Sequence, residues 1–397
     1  MIPEVRKAYN ERFSEEQYQA YINDLSNVFP GHLDFRIAET PVFVPRNFLN
    51  KMLSACDHII DVISTPEYRE HSEKAIPAHL RVPNEDQHPH CIAFDFGVCE
   101  NEQGELEPQL IEMQGFPSLF AWQVIQPEVH HDHFWWPDQY SVYLNGLDRS
   151  TYIDLLKKLI IGDEDPSNVI LLEIFPHQQK TRVDFYATEK FLGIKTVCLT
   201  DVIQEGRKLY YINGEQKVPI HRIYNRVIFD DLYQQPKEVQ EKGKIFHQDL
   251  DVTWVPHPNW FYRLSKFTLP FINHPSVPET HFLNRVSLPQ DLEHYVVKPL
   301  FSFAGQGVII DVTKEAVDQI KDPENWIIQR KVAYANAIQT PTEPAKAEIR
   351  LFYFWLPGKD RPVPANNLAR LSKGKMIGVR YNKDKDWVGG TFCLFER

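Results

Sequence analysis

A lysine stands directly before a glycine loop in the segment YVVKPLFSFAGQGVIIDV, residues 295–312. In a P-loop or a dinucleotide-binding fingerprint the glycines open a helix, whose N-terminal amides hold the phosphates. Here Lys298 precedes Gly305 and Gly307, and the β-branched run at 308–310 predicts a second strand. Two interpretations follow: an ordinary hairpin with a solvated lysine, or a glycine flap that closes its backbone amides over phosphates beside Lys298.

The size and charge of the chain restrict its class. With 397 residues it exceeds the length at which one core usually stops growing, so two or three packed subdomains are expected. Its 43 Lys and Arg against 54 Asp and Glu give a net charge of −11, which disfavours a nucleic-acid partner. Five scattered cysteines without C-x-x-C spacing indicate buried thiols in a reducing compartment. We find no apolar leader and no window of roughly 18 apolar residues, so we expect a cytoplasmic protein without a membrane partner.

Hydrophobic periodicity divides the chain into four regions. Residues 1–90 are predicted to be mostly helical, and residues 91–150 to form a strand hairpin followed by a helix. Residues 151–255 alternate helix and strand, which indicates an open α/β unit. The Pro-rich segment VPHPNW marks the next boundary, and residues 256–397 are typical of an α+β domain rich in antiparallel strands. The predicted fold class is therefore a mixture of α/β and α+β parts.

Acidic and amide side chains lie on the predicted hairpin. The apolar runs CIAFDFGV and QLIEMQ flank a polar turn and place Asp95 and Glu112 on neighbouring strands. Glu112 lies between Ile111 and Met113, so strand alternation turns its side chain to the opposite face from theirs. With Gln114, these residues offer the oxygen ligands that Mg²⁺ prefers. A solvated hairpin surface accounts equally well for the same carboxylates.

Two further segments could serve a nucleotide. Lys266, in RLSKFTLPF on a predicted helix, adds a second cation to Lys298, although a lone helical lysine is usually solvated. The strand WIIQRKV, residues 326–332, could present backbone groups to an adenine edge or be a plain strand.

The order of these motifs resembles the ATP-grasp superfamily, in its circularly permuted branch similar to glutathionylspermidine synthase. The segments in the family's order are FDFGVCENEQGELEPQLIEMQGFPSLFAWQ, LSKFTLPFI, VVKPLFSFAGQGV, IIQRKV and AEIRLFYFWLPGKDRPVPANNLARL, across residues 90–397. This resemblance implies an ATP-grasp-like fold, with residues 91–150 in its core and a helical region at 1–90. Residues 151–255 would form the pre-ATP-grasp unit, and residues 256–397 the ATP-binding domain.

The resemblance also implies a role for each matching residue. Mg²⁺ bridging the phosphates of ATP would be held by Asp95, Glu112 and Gln114. The phosphates would contact Lys266 and Lys298 beneath a flap formed by Ser302, Gly305, Gln306 and Gly307. The adenine would lie near Gln329 and Lys331. Arg350 would steady the transferred phosphoryl group, and the phosphates or the acceptor substrate would face Asn367 and Arg370.

Four residues depart from the family pattern. Gln114 stands where the family prefers Asn, and Ala93 stands where the family carries an arginine two residues before its first aspartate. In the flap, Phe303 and Ala304 replace an Arg-Glu pair. The missing cations bear on the reaction, because charge stabilisation is most of what such a site supplies.

The implied activity is that of a ligase dependent on ATP and Mg²⁺. It would join a carboxylate to an amine through an acylphosphate, with Arg350 and Lys298 as the catalytic residues. One alternative is a nucleotide-binding protein without ligase activity, which Ala93 and Ala304 favour. Another is a metal-dependent hydrolase built on the histidines of HPH (88–90) and HHDH (130–133), for which no H-E-x-x-H helix is present. The sequence does not specify the acid, the amine, whether they are small molecules or peptides, or the oligomeric state.

Some conspicuous side chains have structural alternatives. Arg222 and Arg226, in HRIYNR, could meet a substrate carboxylate or pair with the acidic residues at 230–231. Trp135 and Trp136 are expected to pack in the core or to form the wall of a pocket, and the core is favoured.

Overall fold

Several β-sheets with helices packed around them make up this mixed α/β protein. The structure is a computed structural model that describes residues 1–301, 307–374, 377, 382 and 384–397. Its helices are α1 (Pro3–Arg12), α2 (Glu15–Val28), α3 (Arg46–Ile63), α4 (Pro66–Ser72), α5 (Trp122–His133), α6 (Arg149–Ile160), α7 (Arg182–Leu192), α8 (Phe229–Tyr233), α9 (Lys237–Lys242), α10 (Trp260–Arg263) and α11 (Lys314–Asp318). None of the helices in these ranges is both long and apolar enough to cross a bilayer.

The strands, in chain order, form sheets of different types. They are β1 (Val42–Val44), β2 (Cys91–Glu100), β3 (Leu106–Gln114), β4 (Tyr140–Ser141), β5 (Val169–Glu173), β6 (Lys195–Cys198), β7 (Ile203–Glu205), β8 (Lys208–Asn213), β9 (Gln216–Ile220), β10 (Arg222–Asn225), β11 (Thr253–Val255), β12 (Thr280–Phe282), β13 (Tyr295–Pro299), β14 (Trp326–Arg330), β15 (Lys346–Phe354), β16 (Val363–Ser372), β17 (Gly389–Thr391) and β18 (Cys393–Glu396).

A five-stranded antiparallel sheet of order β17-β16-β15-β2-β3 is the centre of the fold. The predicted hairpin is present as β2 and β3, and its register sets Asp95 opposite Glu112. On its other side β2 pairs with β15, which comes from the far end of the chain and sets Arg350 opposite Asp95. Apolar clusters pack on both faces of this sheet, so its strands are largely buried.

A parallel sheet of order β11-β10-β5-β6 forms the α/β unit within residues 151–255. The chain passes from β5 through α7 to β6 on one side of β5, and later returns to β10 on its other side. The carboxyl ends of β5 and β10 are therefore a topological switch point, the edge at which open α/β sheets bind ligands. A hairpin with its turn at Asn213-Gly214 joins β8 to β9.

A small antiparallel sheet of order β12-β14-β13 carries the opening motif of the sequence. Lys298 lies near the end of β13, and Gln329 lies on the central strand β14. The strand predicted at 308–310 is reduced to one bridge, in which Val297 and Ile309 exchange backbone hydrogen bonds of 3.0 and 2.8 Å. The antiparallel pairing expected in both interpretations is thus present, although the second strand is shorter than expected. The solvated lysine of the ordinary hairpin is not observed, because Lys298 is half-buried and bonded to Gln329.

The helix α3 shows why the N-terminal region is mostly helical. Its apolar side chains recur at helical spacing and are buried in the cluster that also covers one face of the central sheet. The buried members of this stripe include Leu49, Met52, Cys56, Ile59, Ile60 and Ile63. Each large side chain so buried contributes about 1.5–3 kcal/mol. This region is not helical throughout, because β1 pairs in parallel with β18 from the other end of the chain.

One local prediction holds only in part. The segment of Lys266 is helical but forms a short 3-10 helix, Lys266–Phe271, with Pro270 inside it, which an α-helix interior would not tolerate. The helix predicted after the hairpin is present as α5, which carries the histidines at 130–133. The boundaries between the four predicted regions remain a prediction, and the sheet β1-β18-β4 joins strands from three of the four regions.

Candidate functional site

Lys298 is a half-buried cation whose hydrogen-bond partners among the described residues are neutral. Its ammonium donates to Gln329 Oε1 at 2.6 Å and to the Ile111 carbonyl at 3.3 Å. Gln329 is fixed in turn, because its amide nitrogen donates to Thr280 Oγ1 at 2.9 Å. Burial lowers the pKa of Lys298 to about 8, while nearby Glu112 raises it. The Lys298 ammonium therefore contacts no carboxylate among the described residues.

Lys266 brings a second cation to the same region. It is 7% exposed and begins the 3-10 helix, whose first turn is capped by Ser265. Burial lowers the pKa of Lys266 and Glu112 opposes this shift. The Glu112 side chain itself is half-buried on β3 and accepts no hydrogen bond from any other described residue. Two lysines therefore surround one carboxylate that is still available to a ligand.

Asp95 belongs to a buried ionic network on the face of the central sheet that also carries Glu112. Its side chain has no exposed surface. Arg350 binds it through two hydrogen bonds, Nε to Oδ1 and Nη2 to Oδ2, both at 2.6 Å. Arg370 donates Nη2 to Asp95 Oδ2 at 3.1 Å and also pairs with Glu348. Strand register explains the network, since Asp95 lies opposite Arg350 and Glu348 lies opposite Arg370.

Glu348 and Tyr334 complete this network and were missed in the sequence. The Tyr334 hydroxyl donates to Glu348 Oε2 at 3.0 Å. Burial raises the pKa of Glu348, and Arg370 opposes that shift. The spacing of Glu348 two residues before Arg350 was a usable signal, because residues two apart on a strand share a face.

Gln114 lies two residues after Glu112, opposite Ala93 on β2. Its side chain is half-buried and makes no hydrogen bond to another described residue. Ala93 has no exposed surface and packs in an apolar cluster. The position at which the family resemblance would place an arginine is therefore part of the core here.

Other predicted site residues lie apart from this corner. Asn367 is fully buried on the opposite face of β16, where its amide donates to the Val142 carbonyl at 2.8 Å and accepts from the Cys393 N–H at 2.6 Å. Lys331 follows β14 and donates to the Glu293 carbonyl at 2.5 Å. Of the flap, Gly307 has a φ of +72° that favours glycine. Ser302, Gly305 and Gln306, with Phe303 and Ala304, lie outside the described residues.

The histidines do not assemble into a metal site in the described ranges. No group of three potential His, Cys, Asp or Glu ligands is close enough to hold an ion there. His130 is buried among aromatic rings, its Nε2 lies 2.9 Å from the Tyr9 hydroxyl, and burial lowers its pKa to about 3. His88 stacks on Trp355 with ring centroids 4.4 Å apart.

The switch point of the parallel sheet forms a second polar region. Arg226 is 8% exposed and donates Nη1 to the Pro117 carbonyl at 2.7 Å, while its Nε has no hydrogen-bond partner among the described residues. At the end of β5, burial raises the pKa of Glu173 to about 8. The neighbouring Phe175 has a φ of +44° and Leu119 has a φ of +73°, conformations that collect at binding sites.

Two expectations about conspicuous side chains are corrected. Arg222 donates to the carbonyls of Leu159 and Ile160 at 2.9 and 2.8 Å, so neither it nor Arg226 forms an ion pair with the acidic residues at 230–231. Trp135 is 48% exposed, with the Arg12 guanidinium 4.2 Å from its ring centroid, and is not a core residue.

Comparisons with known proteins locate the fold. No protein-family model matches the chain, and no curated protein matches its sequence. Among solved structures, a glutathione synthetase-like effector from Globodera pallida in its apo form is similar, with a TM-score of 0.55 and 8% identity. The match covers 97% of this chain and 98% of the other. The chain therefore has a glutathione synthetase-like fold, which agrees at a coarse level with the ATP-grasp resemblance of its motifs.

Proposed function

We propose that this chain is a ligase of the ATP-grasp type that uses ATP and Mg²⁺ to join a carboxylate to an amine. The observation that carries the proposal is the meeting of Lys298, Lys266 and Glu112 beside the Asp95–Arg350–Arg370 network. Keeping the Lys298 ammonium partly buried, with only neutral hydrogen-bond partners among the described residues, is unfavourable unless an anion joins it. A polyphosphate is such an anion.

The residues that face this corner fit a divalent cation in part. Glu112 and Gln114 offer half-buried oxygens that accept no hydrogen bond from the described residues. Mg²⁺ is commonly held by one or two carboxylates together with substrate phosphates and waters, so these two ligands are a sufficient protein share. Asp95 does not fit, because its oxygens are already held by two arginines. Bound Mg²⁺ would neutralise phosphate charge and orient the phosphates.

The protein's own contribution to the reaction is positioning and charge. A substrate carboxylate oxygen would attack the γ-phosphorus of ATP, the bond to ADP would break, and an acylphosphate would form. The amine nitrogen would then attack the acyl carbon and lose a proton as phosphate leaves. Lys298, Lys266 and Arg350 would stabilise the phosphoryl oxygens, and Gln329 and Lys331 would border the adenine. We leave Asn367 out of the site, since its amide is fully used on the opposite face.

The carboxylate substrate, which accepts the phosphoryl group, would bind at the switch point of the parallel sheet. Arg226, with one buried donor unused, suits a carboxylate. Its guanidinium lies 5.1 Å from the centroid of the Phe116 ring, and edge-to-face ring contacts continue through Phe261 and Tyr262 to Phe301. This aromatic line would guide the substrate from Arg226 to the phosphates. We propose a small-molecule or peptide acid and amine as partners, no nucleic acid or membrane, and a cytoplasmic location.

A nucleotide-binding protein without ligase activity is the second candidate, favoured by the burial of Ala93 in the core. The two candidates differ in one result, which is whether ADP is released when acids and amines are supplied with ATP.

A thermal-shift experiment tests nucleotide binding first. A ligand at a hundredfold excess over its Kd stabilises the native state by about 2.7 kcal/mol, so ATP with Mg²⁺ should raise Tm by several degrees. The variant Lys298→Ala should lose this shift, while the control Lys321→Ala, at an exposed lysine outside the proposed site, should keep it. ADP release with a panel of acids and amines then tests ligase activity. If Tm does not change with ATP but rises clearly with Zn²⁺, the ligase proposal is refuted, and a metal-dependent hydrolase built on the histidines is favoured.

A further inference from the structure

The carboxylate of Asp95 is occupied by guanidinium groups. A carboxylate has about four acceptor positions, and Arg350 and Arg370 fill three of them. The Asp95 side chain has no exposed surface, so a further ligand cannot reach it from solvent. A cation at Asp95 would therefore have to displace arginine donors and then lie against the same arginines, which would repel it.

Charge within this network is balanced. Asp95 and Glu348 carry two negative charges, and Arg350 and Arg370 carry two positive charges, so the four side chains sum to zero. Glu112 is different, because it is half-buried and accepts no hydrogen bond from the described residues. The acidic residues of the hairpin thus have separate environments, one closed by cations and one open.

The arginines keep donors that Asp95 does not use. Arg350 commits Nε and Nη2 to Asp95, and its Nη1 makes no hydrogen bond to another described residue. Arg370 commits Nη2 alone, and its side chain is 40% exposed. Asp95 fixes the plane of the Arg350 guanidinium, because bidentate pairing restricts its orientation, and Arg370 Nη2 is held between Asp95 and Glu348. The remaining donors are therefore held at set positions on the face of the sheet that also carries Glu112.

We propose that Asp95 is a positioning residue for Arg350 and Arg370 and not a metal ligand, and that Glu112 and Gln114 alone hold the divalent cation. This inference rests on the proposed binding of ATP and Mg²⁺. It assigns different tasks to the two acidic residues of one hairpin: Glu112 acts on the metal, and Asp95 acts on the phosphates through arginine.

Two binding measurements separate these tasks. Calorimetric titration at saturating Mg²⁺ gives the Kd for ATP, and Mg²⁺ titration at fixed ATP gives the metal concentration at half-effect. Glu112→Gln should raise the half-effect Mg²⁺ concentration about tenfold or more. Asp95→Asn should change it by less than about twofold, yet weaken ATP at saturating Mg²⁺ by about 10- to 100-fold, the scale of a lost charge-assisted contact. A purely structural role for Asp95 would lower Tm and leave both binding constants unchanged.

A second variant covers the event that Asp95→Asn does not fold. The double change Asp95→Asn with Arg350→Gln removes both buried charges together, which is better tolerated than removing one. Its half-effect Mg²⁺ concentration should match that of the wild type. A metal requirement raised in either Asp95 variant as far as in Glu112→Gln would overturn the inference and leave the proposed function intact. A wild-type protein with no Mg²⁺-dependent response to ATP would overturn both.

Discussion

The charge of Lys298 can be removed by pH alone, which allows a test of the phosphate site without mutation. Burial lowers the pKa of Lys298 to about 8, against the opposing effect of Glu112. The ammonium is therefore mostly protonated at pH 7, and its charge is lost as the pH rises through about 8. An exposed lysine would keep its charge over this whole range.

The size of the effect follows from the pKa. If ATP binds only when Lys298 is charged, the apparent Kd is multiplied by 1 + 10^(pH − pKa). For a pKa of about 8, the factor rises from about 1.1 at pH 7 to about 11 at pH 9, so affinity should fall roughly tenfold.

Isothermal titration of ATP at saturating Mg²⁺ and at pH 7, 8 and 9 measures this change. Lys298→Arg is the matched control, since a guanidinium stays charged throughout and its profile should be flat. Lys298→Met should bind weakly at every pH. A wild-type Kd that stays constant from pH 7 to 9, or one that changes in parallel with Lys298→Arg, would refute the reasoning.

Three other changes test the surrounding structure. Burial lowers the pKa of His130 from 6.5 to about 3. The folded state is therefore destabilised as the pH falls from about 6.5 towards 3, because the unfolded chain binds the proton more tightly. Between pH 7 and 5, the free energy of unfolding in urea should drop about 2 kcal/mol more in wild type than in His130→Gln. Asp184→Asn should cost about 2–4 kcal/mol in the same assay, because the carboxylate accepts three backbone N–H groups around the start of α5; a loss below about 1 kcal/mol would contradict this account. Gly115→Ala should cost about 1–3 kcal/mol, since its Cβ would lie 2.7 Å from a backbone carbonyl oxygen, whereas Gly390→Ala, with its nearest atom at 3.7 Å, should be tolerated and serves as the control.

Local patterns of the sequence were sufficient to predict the hairpin at the centre of the site. The alternation in β2 and β3 and the polar turn between them predicted the neighbouring positions of Asp95 and Glu112, and the register confirms them. The position of Lys298 at the end of an apolar strand was predicted for the same reason, because strand and turn chemistry are short-range properties.

Pairing between distant segments could not be predicted in this way. Asp95 and Arg350 are 255 residues apart, so no local pattern shows that one neutralises the other. Asn367 illustrates a further limit, because a shift of one residue in register exchanges the faces of a strand. The sequence places Asn367 and Arg370 on one strand, and only the paired structure shows that they face opposite ways.

The pairing of β2 with β15 also has a consequence during synthesis. The hairpin β2–β3 is complete early, but the strand that covers the other edge of β2 is translated some 255 residues after Asp95. At about 5–20 residues per second, that edge stays unpaired for roughly 10–50 s on the ribosome. During this time its backbone N–H and C=O groups can pair with any extended segment, either of this chain or of a chain on a neighbouring ribosome. Chaperone demand in this protein should therefore depend on the rate at which residues 115–354 are translated.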